Sequence, residues 1–105
     1  MTTVVDLRLE DAERLVSLRM RDLIRIELNE NSTTGYLWSL SPAALADFEI
    51  VADEREVSDR PGGGAVRRFV LRPRRQARLD LEMILRRPWT DDEISRQVFR
   101  IEIIS

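Results

Sequence analysis

The sequence contains no cysteine and no histidine, and all 17 of its basic residues are arginine. Without cysteine there are no disulfides, no thiolate nucleophile, no iron–sulfur cluster and no thiolate zinc site. Without histidine the commonest general base, the commonest transition-metal ligand and every His-based triad are gone. The lack of lysine reads as a bias toward arginine codons, compatible with a bacterial source of high coding bias. Dense phosphate recognition by guanidinium groups would call for a basic domain, whereas 17 basic against 19 acidic residues leave a net charge of −2. Long apolar runs are missing too. Nothing approaches 18 uninterrupted apolar residues, so no membrane span and no membrane partner is expected. The opening MTTVVDLRLEDAERLV carries Asp6, Arg8, Glu10 and Asp11 where a leader would be apolar. The chain is therefore expected either to be cytoplasmic or to have been separated from a leader.

What remains is enough for one domain, residues 1–105. A chain of this length buries roughly 65% of its unfolded surface, and 43% apolar with 34% charged residues is a globular composition. Alternation with period two dominates. Ile24, Ile26 and Leu28 alternate with Arg25 and Glu27; Leu79, Leu81, Met83 and Leu85 with Arg78, Asp80 and Glu82; Phe99, Ile101 and Ile103 with Arg100 and Glu102. These are half-buried strands. Val4 to Leu9, Tyr36 to Leu40, Phe48 to Val57 and Val66 to Leu71 are further strands, separated by turn-forming clusters. Leu9 to Leu18 is partly helical in spacing and could hold one short helical turn, as could Pro42 to Asp47. About seven short strands predict an all-β, Ig-like sandwich with Trp38 as its core tryptophan; a small barrel is the alternative.

Three loops have unusual composition. Asn31-Ser32-Thr33-Thr34-Gly35-Tyr36 is a run of small polar residues closed by a glycine suited to positive φ. Its Asn31-Ser32-Thr33 is also an N-x-T acceptor for an N-linked glycan, which would stand at the loop tip. Gly62-Gly63-Gly64-Ala65 allows another backbone to approach closely. Arg87-Pro88-Trp89 sets a large aromatic behind a rigid proline, the composition of a binding hot spot. Each has a plain structural alternative: an ordinary turn, a slack loop, a core tryptophan.

In this order and spacing, NSTTGY with Trp38 two residues on, GGGAVRRF with Phe69, and RRPW resemble the three loops of the chagasin-type inhibitors of papain-like cysteine proteases. The resemblance runs from about Met20 to Ile104. It implies an Ig-like sandwich whose loops lie side by side and plug a cleft of the protease, cathepsin L-like or similar. Thr33 and Thr34 would cover the catalytic centre, with Asn31, Ser32, Gly35 and Tyr36 shaping the turn. Gly62, Gly63, Gly64 and Ala65 would lie along the non-primed side, and Arg87, Pro88 and Trp89 on the primed side. The family pattern has proline at Ser32, glycine at Ala65 and Ala77, and tyrosine at Leu85, and it lacks the extra Gly63.

The resemblance implies a monomeric inhibitor, not an enzyme, with no cofactor and no catalytic or metal-binding residues. A non-inhibitory Ig-like binding or adhesion module is the rival reading. Trp89 separates them: buried between sheets if structural, exposed at a loop tip if inhibitory. Nucleic-acid binding through Arg67-Arg68 and Arg72 to Arg78 is disfavoured, because no aromatics interleave these arginines. The acids Asp91, Asp92 and Glu93 read as a solvated loop.

Overall fold

The computed structural model describes residues 2–31, 34–59, 64–91 and 93–105. Its strands are β1 (Val4–Arg8), β2 (Leu15–Arg19), β3 (Leu23–Glu30), β4 (Leu37–Leu40), β5 (Phe48–Val57), β6 (Ala65–Pro73), β7 (Arg78–Arg86) and β8 (Glu93–Ile104). They form two four-stranded sheets, ordered β1-β3-β6-β5 and β2-β8-β7-β4. This is the Ig-type division of strands, and two separate open sheets replace the barrel alternative. Pairing is antiparallel except for β1 with β3 and β2 with β8.

The alternating residues face inward as their period requires. Ile24, Ile26, Leu71, Leu81, Met83, Phe99 and Ile101 are fully buried, and Phe48 and Phe69 are buried with them. A side chain of this class contributes about 1.5–3 kcal/mol when removed from water. Trp38 is buried on β4, as the sequence requires of a core tryptophan. The helical turn expected at Pro42 to Asp47 is present as α1 (Pro42–Asp47). Ser41 caps it by accepting from Ala44 N at 3.1 Å, and Pro42 occupies the first turn, where no N–H is needed.

One segment departs from expectation. The helical turn read into Leu9 to Leu18 covers only Leu9–Asp11, as a 3-10 turn, and the segment then becomes β2. Only Val16 and Leu18 of β2 face inward, too few for period two to stand out locally. The strand exists because it pairs with β8 at the far end of the chain, placing Val16 opposite Ile101. Among the described residues no helix is long and apolar enough to cross a membrane.

Candidate functional site

Three connections converge at one end of the sandwich. The β3–β4 loop crosses between sheets, so its two stems belong to different ladders. On one side Glu30 pairs with Ala65, the exit of the Gly-rich β5–β6 loop. On the other Leu37 pairs with Arg86, the entry to the β7–β8 loop. Strand register alone therefore sets the first loop between the other two.

The first loop is a closed turn. Thr34 Oγ1 donates to Asn31 O at 2.9 Å, and Tyr36 N donates to Thr34 Oγ1 at 3.4 Å. Gly35 follows at φ +78°, the left-handed conformation expected of it. The third loop is fastened to this turn. Arg87 Nε donates to Thr34 O at 3.2 Å, while the Arg87 guanidinium sits 4.5 Å from the centroid of the Tyr36 ring. The cation–π contact and the hydrogen bond use one side chain to bridge two loops. Beyond it, Thr90 N donates to Arg87 O at 3.2 Å, which tightens the turn through Pro88 and Trp89. Trp89 is 70% exposed, and its indole lies against Gly35. A tryptophan serving as core would be buried, as Trp38 is; Trp89 projects at the loop tip.

The second loop begins after Val57, itself exposed, and closes where Ser58 N donates to Gly64 O at 3.0 Å. Gly64 adopts φ +70° with its α-carbon so near the first loop's stem that an added Cβ would stand 3.1 Å from Glu30 O. Ala65 opens β6 and its side chain is buried. Asn31 and Thr34 are exposed, and Pro88 is exposed beside Trp89. Ser32, Thr33, Gly62 and Gly63 lie outside the described residues, as does Asp92. Ala77 and Leu85, which stand where the family pattern has glycine and tyrosine, are partly buried against the core.

Two residues here were not singled out from the sequence. Ile94 is 58% exposed and lines an open hollow with Tyr36, Leu85 and Thr34. It is out of phase with Phe99, Ile101 and Ile103, a signal that was available. Glu30 is the other. It occupies the inward phase set by Ile24, Ile26 and Leu28, and its side chain is fully buried. Glu30 Oε2 accepts from Trp38 N at 2.7 Å and from Arg67 Nη1 at 3.0 Å, while Oε1 faces Arg55 Nε at 3.3 Å. Trp38 Nε1 donates to Asn29 O at 2.9 Å across the same gap. Asp53 takes the Nε and Nη2 of Arg67 in a fork, and this hydrogen-bonded carboxylate holds the guanidinium above its usual range. The apolar core thus ends, under the loops, in an ionic cluster. Of the other arginines weighed above, Arg68 pairs with Glu27, Arg72 with Glu49, Arg75 with Asp47 and Arg78 with Glu102. Among the described residues no group of acids could hold a metal ion.

Comparison with known proteins gives the family and the fold. The family model described as Chagasin family peptidase inhibitor I42 matches residues 17–103. Among solved structures, the cysteine protease inhibitor EhICP2 from Entamoeba histolytica superposes with a TM-score of 0.84 at 21% identity, over 98% of this chain and 97% of that one. Leishmania mexicana ICP gives a TM-score of 0.62 at 22% identity, covering 90% of each chain. PbICP-C, solved in complex with falcipain-2, gives 0.60 at 15% identity, over 98% of this chain and 91% of its own. At these identities the likeness is one of fold. No curated protein sequence matches the chain.

Proposed function

The chain belongs to the chagasin family of peptidase inhibitors, and from that membership we propose that it inhibits papain-like cysteine proteases by inserting its three-loop end into the active-site cleft. The observation that carries this reading is the placement of Trp89. It is 70% exposed, seated on Gly35 of the neighbouring loop, and so is built into a surface rather than into the core. That the structural neighbours include a cysteine protease inhibitor and an inhibitor bound to falcipain-2 supports the same class of target.

In this mode Thr33 and Thr34 occupy the catalytic centre and Asn31, Ser32, Gly35 and Tyr36 hold their turn. Gly62, Gly63 and Gly64 run along the non-primed side through backbone contacts, with Ala65 fixing the exit of that loop. Pro88 and Trp89 cover the primed side, and Arg87 ties them to the first loop. A protease cuts extended backbone. The bond from Thr34 Oγ1 to Asn31 O and the left-handed Gly35 keep the central loop in a closed turn, which resists that conformation. A complex of standard size buries about 800 Å² on each partner, and loops already fastened to one another lose little entropy on binding. A non-inhibitory module that kept the loops as structure would bury Trp89 between the sheets, and it gives no account of membership in an inhibitor family.

Occlusion is tested by chemical protection. Saturating protein should block alkylation of the catalytic cysteine of papain by iodoacetamide, and dilution should restore reactivity. Alkylation at the free-enzyme rate in a complex that no longer turns over substrate would show that the loops bind elsewhere.

A further inference from the structure

We propose that Glu30 is a positioning residue for the inhibitory loops, acting as the tie between the two sheets at the loop end; this rests on the function proposed above. The backbone ladders account for only half of the loop arrangement. They fix β3 to β6 in one sheet and β4 to β7 in the other. Among the described residues no ladder joins the sheets, and the first loop is a segment that must bridge them. Its width is therefore set by whatever holds residue 30 to residue 38.

The Glu30 carboxylate does so. β4 is an edge strand, so alternate N–H groups of its outer side have no ladder partner. Glu30 reaches from the opposite sheet to take the N–H of Trp38 at 2.7 Å, a charge-assisted bond in a site closed to water. Trp38 Nε1 reciprocates to Asn29 O. Both stems of the first loop are thus cross-linked within two residues of its ends. The same carboxylate holds Arg67 of β6, and Arg67 is gripped by Asp53 of β5. β5 and β6 are the stems of the Gly-rich loop. One buried acid consequently sets the spacing of the first loop and ties it to the strands that present the second.

The Trp38 N–H needs an acceptor here, but filling the space does not need an ion pair. A buried ion pair replaced by apolar residues of similar volume is often neutral or stabilising. That allows position and stability to be separated. In the double variant Glu30→Met with Arg67→Met the ion pair is replaced, but the Trp38 N–H loses its acceptor, so the melting temperature should fall only modestly. Inhibition of papain should nevertheless weaken at least tenfold, mainly through faster dissociation. Amide exchange at Trp38 should accelerate tenfold or more, while the amide of Ile103, bonded to Ala77 O at 2.8 Å, stays as protected as before. If the double variant does not fold, Glu30→Gln carries the test; it retains the acceptor but not the charge, and should give smaller changes in the same direction at both readouts. Wild-type inhibition in a folded variant overturns the proposal. So does weakened inhibition with Trp38 exchange unchanged, because the loss would then not run through the tie. Failure of the wild-type protein to inhibit any papain-like protease overturns the proposed function instead, and Trp38 exchange still decides whether Glu30 positions the loop.

Discussion

The indole of Trp89 lies against Gly35, so close that a methyl group added to Gly35 would stand 2.5 Å from the ring's outermost carbon. The two residues belong to loops on different strand pairs, and their contact means that the first and third loops are presented as one surface. Gly35 is required twice over, for its φ of +78° and for the space its missing side chain leaves.

Gly35→Ala tests both requirements. A non-glycine residue held in a left-handed conformation costs about 1–3 kcal/mol, and the ring must move as well. Inhibition should weaken at least tenfold in an enzyme assay, while the core stays folded with a modestly lower melting temperature. An unchanged inhibition constant would mean that the seat of Trp89 on Gly35 does not matter to binding.

The two tryptophans should behave in opposite ways. Trp89→Ala should cost about 1–3 kcal/mol of binding free energy with little effect on stability, as an exposed hot-spot aromatic does. Trp38→Ala should cost about 3–5 kcal/mol of stability, as a core truncation does. Thermal melts and inhibition constants of the pair check this. Equal losses of melting temperature would make Trp89 a core residue in solution.

Much of this was legible in the sequence because it is local. The inward rows of β3, β7 and β8 follow directly from alternation, and β5 runs from Phe48 to Val57 as its composition indicates. The positive φ of Gly35 and the exposure of Trp89 were also legible, from turn chemistry and from the ordered loop motifs. What was not legible depends on distant partners. β2 is a strand only because β8 accepts it. The role of Glu30 is not local, since its partner Arg67 stands on another strand and the N–H of Trp38 is a backbone group that no motif displays. A charge in the inward phase of an apolar strand was the signal to follow.

Ser32→Pro should strengthen inhibition by about 0.5 kcal/mol, since proline narrows the unbound loop's conformations. Titration calorimetry against an inactivated protease measures it. A tenfold loss would show that the loop follows a path proline cannot take.

Acid should destabilise the fold in part through Asp22. Its carboxylate accepts from Arg19 N at 2.9 Å and Thr3 N at 3.3 Å, and these backbone bonds, that of Arg19 foremost, hold it below the usual carboxylate range. A depressed folded-state pKa gives stability that is present above the unfolded value, about 3.9, and is lost as pH falls through the folded one. Melting temperature should therefore decline on acidification below about pH 4–5, and Asp22→Asn should flatten that decline while lowering stability at neutral pH. The same acid dependence in the variant would remove Asp22 from the account.

The most direct test of inhibition is titration of papain, or of a cathepsin L-like enzyme, with this protein while hydrolysis of a fluorogenic peptide is followed. Activity should be lost at stoichiometric protein and recovered on dilution, and the inhibitor should be recovered at its full mass of 12.3 kDa. Full protease activity at micromolar protein, or rapid cleavage at Thr33 or Thr34, would contradict the proposed inhibition.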